Sequence, residues 1–159
     1  VRGFEYRMPV EGGLLVCDER VSGFELDFCS ERDKDRLFTP GEGWAMILTA
    51  AGPDLAVLVE LRDAPSVDDD HRAWDHVAEF SLAVRSGLLE ISSAPVERPP
   101  VLRVRPGWHR VRFGYRNLAT VRHEGGESRS GPLCCGLTVW PGARAADVVL
   151  KQWAGRLIL

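Results

Sequence analysis

Five arginines fall at alternating positions in two short segments: Arg103 and Arg105 in Val101-Leu102-Arg103-Val104-Arg105, then Arg110, Arg112 and Arg116 in Trp108-His109-Arg110-Val111-Arg112-Phe113-Gly114-Tyr115-Arg116. Successive side chains of an extended chain point to opposite faces. Each arginine set therefore shares a face, opposite Leu102 and Val104 in one segment and Val111, Phe113 and Tyr115 in the other. With Pro106-Gly107 read as the turn between them, the segments make a hairpin that lines one exposed sheet face with guanidiniums. A guanidinium donates two parallel hydrogen bonds to a carboxylate or phosphate, so the chemistry implied is anion recognition. The competing reading is a solvated outer face, balanced by Glu25, Asp27, Glu79 or Glu90 on neighbouring strands.

A second group is acidic: Asp68-Asp69-Asp70-His71, with Asp75-His76 close behind. Carboxylates and imidazoles bind divalent ions, but the alternate carboxylates, glycine and closing glutamate of a calcium loop are missing. The group reads as a solvated loop, with a contact surface for a basic partner as its functional alternative, and no metal is expected. No Gly-x-Ser-x-Gly elbow, phosphate-binding loop or dinucleotide fingerprint occurs, so the expectation is a non-enzyme without a cofactor. Cys17, Cys29, Cys134 and Cys135 contain no Cys-x-x-Cys pair, and the adjacent two face opposite ways in a strand. They are expected to be small buried residues in a reducing cytoplasm. The five tryptophans, Trp44, Trp74, Trp108, Trp140 and Trp153, fall near strand ends, where they pack against the core or, alternatively, form a sugar-stacking platform.

Elements that position these groups follow from the period of the apolar residues. The chain has 159 residues, 45% of them apolar and 27% charged, enough for a single domain, 1–159, with a core that needs neither disulfide nor metal. Its net charge of −3 gives no drive toward nucleic acid or acidic membranes. No stretch is long and apolar enough to span a bilayer, and Val1 to Arg7 lacks the apolar region of a signal peptide, so a cytoplasmic location is expected. Residues 1–12 read as a mobile segment. Leu14 to Asp18 and Phe24 to Phe28 read as strands, and the all-polar run Ser30 to Arg36 as a loop or at most a helical turn. Trp44 to Ala50 and Leu55 to Leu61 read as a central hairpin, apolar on both faces. Strands are further expected at Ala78 to Val84, Leu88 to Ile91, the two arginine segments, Leu133 to Trp140 and Asp147 to Gln152, with a mobile tip from Arg122 to Pro132. A helix from Ala143 to Leu157 is the alternative for the last strand. About nine short strands with few or no helices predict an all-β, two-sheet antiparallel sandwich. Its expected core is Phe24, Leu26, Ile47, Leu58, Phe80, Leu82, Val111, Phe113 and Leu137.

Three stretches, in order, resemble the small bacterial β-sandwich domains related to competence protein J, the inhibitor of a DNA-entry nuclease. They are Phe38-Thr39-Pro40-Gly41-x-Gly-Trp44, then Trp74-x-x-Val77 and Leu82 with Gly87-Leu88-Leu89-Glu90-Ile91, then Val104-Arg105-Pro106-Gly107-Trp108 with Arg110-Val111-Arg112. Val139-Trp140-Pro141-Gly142 also fits. The resemblance spans most of residues 14–152 and rests on strand spacing and turn residues. It implies a non-enzymatic role in binding a partner protein such as a nuclease or toxin, and it supplies no site residues. The arginine-rich face departs from what an inhibitor mimicking DNA would carry. A sandwich binding a small molecule or carbohydrate is the alternative function.

Overall fold

Period-two alternation builds both layers of the molecule. The computed structural model describes residues 1–21, 29–49, 52–66, 70–94, 96–118 and 133–157. Among them run β1 (Arg2–Val10), β2 (Gly13–Asp18), β3 (Phe38–Gly41), β4 (Trp44–Leu48), β5 (Gly52–Leu61), β6 (His76–Val84), β7 (Leu88–Ser92), β8 (Val101–Arg103), β9 (Gly107–Arg116), β10 (Cys134–Pro141) and β11 (Val148–Lys151). One sheet has the order β1-β5-β10-β9-β6-β11 and the other β3-β4-β2-β7-β8. Pairing is antiparallel except between β5 and β10. The expected all-β sandwich is the fold.

Aromatic residues from both sheets meet at the centre of the core. Phe38 of β3 stacks on Phe80 of β6 at 5.3 Å and meets Phe113 of β9 edge-on at 5.7 Å. Beside them Tyr115 is fully buried, and its hydroxyl donates to the Leu48 carbonyl at 2.9 Å, satisfying the one polar atom it brings inside. Ile47, Phe80, Leu82, Val111, Phe113 and Leu137 are buried as expected. Phe24 and Leu26 lie outside the described residues, as do the strand expected at 24–28 and the tip at 122–132. Leu58 is a correction: it is half-buried, because it stands on the outward face of β5 rather than between the sheets.

The connections differ from the expected ones in two places, and the first strand is an addition. Residues 1–12, expected as a mobile segment, hold a strand, since β1 pairs with β5 from Arg2 opposite Leu61 to Val10 opposite Gly52. The alternation Phe4, Tyr6, Met8, Val10 was its signal, and those side chains turn toward the core. β4 and β5 are not a hairpin: β4 pairs with β2 and β3, and β5 with β1 and β10, in different sheets. The same holds for the arginine segments, because β8 belongs to the five-stranded sheet and β9 to the six-stranded one. Tight two-residue hairpins need a positive φ at the first central position, which proline cannot adopt. Pro106-Gly107 instead turns the chain from one layer to the other, with the Val104 amide held by the Gly87 carbonyl at 2.9 Å.

The polar run after Ser30 closes into a short helix, α1 (Glu31–Arg36). The Ser30 hydroxyl accepts from the Asp33 amide at 3.1 Å while the Asp33 carboxylate accepts from the Ser30 amide at 3.3 Å, a reciprocal cap. Leu37 ends it at a left-handed φ of 62°. Arg36 then joins helix to sheet, donating to Asp33 at 2.6 Å and to Asp147 at 3.2 Å.

Candidate functional site: the outer face of the six-stranded sheet

Glu79 on β6 stands opposite Arg112 on β9 and serves two arginines at once. Its Oε1 accepts from Arg112 Nε at 2.6 Å, and its Oε2 from Arg110 Nη2 at 3.1 Å. Arg110 reaches further, to the Ser81 hydroxyl at 3.0 Å and the Ala145 carbonyl at 3.2 Å, so it also fastens the segment after β10 to β6. The three side chains retain only 10 to 16% of their exposure. Burial, with Arg62 nearby, pulls the Arg112 pKa below the usual arginine range. Arg110 and Arg112 therefore share the one carboxylate of Glu79, which balances half of their charge.

Arg116 is exposed, and its guanidinium lies 4.1 Å from the centre of the Trp74 ring. Trp74 in turn covers Gly114 of β9 and Gly136 of β10. A Cβ at Gly114 would stand 2.8 Å from that ring, and one at Gly136 would collide with it. Two side-by-side glycines, paired in the ladder, thus make the flat seat that lets an indole lie against the sheet.

One cleft opens on this face, and a second lies between it and the β3–β4 turn of the other sheet. The first, of about 490 Å³, has Gly114, Gly136 and Thr138 as floor, Trp74 and His71 on one side and Glu5 and Glu60 on the other. Asp70 stands at its rim, exposed, capping a 3-10 turn at His71–Ala73 through the Arg72 amide at 2.9 Å. Asp68 and Asp69 lie outside the described residues. The second cleft, of about 810 Å³, runs from the β3–β4 turn across Ser81 and Ala83 to Arg85, Trp108 and Arg144. Trp108 is 41% exposed, and the Arg144 guanidinium stacks over it at 5.4 Å.

The structure thus separates the five arginines. Arg110, Arg112 and Arg116 share the outer face of one sheet, whereas Arg103 ends β8 in the other, and Arg105 lies on the link between the layers. Arg85 and Arg144 were missed by sequence reasoning, because they sit in turns where no strand period groups them with Trp108.

The remaining titratable groups are tied into the frame. His76 is buried with both ring nitrogens engaged: the Trp153 amide donates to Nδ1 at 3.3 Å, so Nε2 donates to the Arg36 carbonyl at 2.9 Å. Burial pushes its pKa down despite that carbonyl. Asp18 receives the Arg85 amide at 2.7 Å and the Ser86 amide at 3.1 Å, together with the Ser86 hydroxyl, and so fixes the β6–β7 turn. Burial alone would raise its carboxyl, but these donors outweigh burial and hold it below the usual range. All four thiols are free, and burial, with Glu90 and Asp18 adding, pushes Cys17 up to about 12. Among the described residues no three His, Cys, Asp or Glu side chains stand together as metal ligands would, and no helix is long and apolar enough to cross a membrane.

This fold recurs in solved structures. A protein described as crocagin biosynthetic gene J superposes with a TM-score of 0.60 at 18% identity, over 89% of this chain and 98% of its own. ComJ from Bacillus subtilis, described as the inhibitor of the DNA degrading activity of NucA, superposes with a TM-score of 0.63 at 8% identity, over 86% of this chain and 96% of its own. The fold is therefore that of the ComJ-like sandwiches, as the turn and strand motifs implied. No family model matches the sequence, and no curated protein does.

Proposed function

We propose that the protein binds and neutralises a partner protein, such as a nuclease or toxin, without catalysing a reaction itself. The observation that carries this reading is the fold shared with an enzyme inhibitor over 86% of the chain. The cleft around Trp108 is the contact surface that fits it. Tryptophan and arginine dominate the energetic centres of protein interfaces, and here an exposed indole carries one guanidinium on its face with another nearby. Guanidiniums held at an open surface speed association with an acidic partner and help to select it. A cytoplasmic site of action is consistent with the reducing setting inferred for the four thiols. Arg110 supports the cleft from beneath by holding the Ala145 carbonyl, whereas Arg103, Arg105 and Arg116, though exposed, lie outside its lining.

A second reading is favoured by one observation: the cleft of about 490 Å³ beside Trp74 has the volume of a small-molecule site. A sugar stacking on that indole would make the protein a ligand-binding sandwich.

The test is a pull-down from the native host with the wild-type protein, Trp108→Ala and the pair Arg85→Glu and Arg144→Glu. Partner capture gives one nuclease or toxin in equimolar amount, lost or much reduced with either variant. Capture of the same partner by all three proteins would move the contact elsewhere. No captured protein, together with saturable binding of a sugar, would replace the first reading with the second.

A further inference from the structure

A third cavity, at the corner where β8 gives way to β9, carries more uncompensated cation than either of the other two clefts. It measures about 350 Å³ and is lined by Arg2, Arg62 and Arg105 against Asp63, with Glu60, outside the lining, paired to Arg62. Leu61, Val104 and Val139 give it an apolar wall. The three arginines come from segments far apart in sequence. Arg2 opens β1, Arg62 follows the last residue of β5, and Arg105 lies on the link that changes sheets. Two of them are held in place by bonds that leave donors over. Arg2 Nη2 donates to the Arg103 carbonyl at 3.2 Å, tying β1 to the end of β8 in the other sheet. Arg62 Nη2 donates to Glu60 at 2.9 Å, but its Nε is buried with no hydrogen-bond partner among the described residues. A buried donor without an acceptor costs free energy, which an acceptor reaching it from the cavity would recover. Arg105 is exposed at the rim.

We infer that this corner is a binding site for an oxyanion, a carboxylate or a phosphate group. Both present oxygens at the spacing that a guanidinium fork matches, and an apolar wall strengthens charge-assisted hydrogen bonds by lowering the local dielectric. Arg105 gains a role here that the expected arginine hairpin had placed elsewhere. The site is separate from the Trp108 cleft and stands whether or not that cleft captures a protein.

The test uses the whole chain and two probes, sodium phosphate and sodium citrate, each titrated at ionic strength held constant with sodium chloride so that screening cannot imitate binding. The readout is the Nε–H resonance of Arg62, with the melting temperature as a second measure. Saturable movement of that resonance by either probe is expected. Phosphate acting alone identifies a phosphate-bearing ligand, and citrate acting alone a carboxylate, while both leave the site standing. Arg2→Gln and Arg105→Gln, at exposed positions, should each weaken binding about tenfold, the low end for a lost charged hydrogen bond. Arg32→Gln, on the exposed side of α1, should bind as the wild type does. No movement of the Arg62 resonance with either probe, or unchanged affinity in both Arg2→Gln and Arg105→Gln, would overturn the inference.

Discussion

At the scale of residues, one carboxylate holds the face together. Glu79 satisfies Arg110 and Arg112 where all three are largely withdrawn from water. Removing one member of a buried ion pair leaves the other charge uncompensated. Glu79→Gln should therefore lower the unfolding free energy by about 3 kcal/mol, read from urea denaturation. Glu42→Gln, at an exposed position, should stay within about 0.5 kcal/mol. Equal behaviour of the two variants would mean that the Glu79 cluster contributes nothing. The direction of pH dependence follows from the same kind of contact. Burial makes His76 harder to protonate in the folded protein than in the unfolded chain, so its contribution is complete above about pH 6.5 and erodes below it. Asp18 and Asp33 are held below the ordinary carboxyl range by their donors, which outweigh burial. Their contribution is present above about pH 4 and is lost as the pH falls through it. Glu90, pushed up by burial and by Glu19, acts in the opposite sense with a single carboxyl. Unfolding free energy should decline from pH 7 to 5 and more steeply by pH 3.5. A flat or rising profile would contradict these assignments.

At the scale of elements, the seat of Trp74 shows what paired strands can do that neither does alone. Gly114 and Gly136 face each other across the β9–β10 ladder, and only their missing side chains leave room for the ring. Gly136→Ala should cost about 1–3 kcal/mol by overpacking and shift the Trp74 indole N–H resonance. Gly3→Ala, where a Cβ would meet nothing within 4 Å, should do neither. An unmoved Trp74 resonance in Gly136→Ala would mean that the ring does not rest there. This pairing was invisible in the sequence, because Gly114 and Gly136 are joined by strand register alone. The strands themselves were legible: Phe80, Leu82 and Val84 in β6 and Val111, Phe113 and Tyr115 in β9 take alternate positions and are buried, although Ala83 and Gly114 between them are buried too. What failed was connection. The Pro106-Gly107 pair marks a turn without saying which sheet follows, and β1 was passed over although Phe4, Tyr6, Met8 and Val10 alternate as clearly as β6. The site was legible in part. Arg110 and Arg112 share a face with Glu79 as a neighbour, but the approach of Arg144 to Trp108, or of Arg2 to the end of β8, comes from packing between distant segments.

At the scale of the whole molecule, the two layers divide the work. The five-stranded sheet and the aromatic core anchor the frame. The six-stranded sheet carries one large cleft on its outer face and shares a second with the β3–β4 turn of the other sheet, and its end meets the five-stranded sheet at the cationic corner. A rigid frame of this kind suits capture of a partner whose surface is already formed, since little ordering entropy is then lost on binding. The most direct measurement is a titration of enzyme activity. The nuclease or toxin captured in the pull-down is held at fixed concentration, and this protein is added in increasing amount. Capture and neutralisation predict a linear fall in activity that ends at one equivalent, with Trp108→Ala requiring a large excess to reach the same end. Activity that stays unchanged at tenfold excess of the wild-type protein would contradict it.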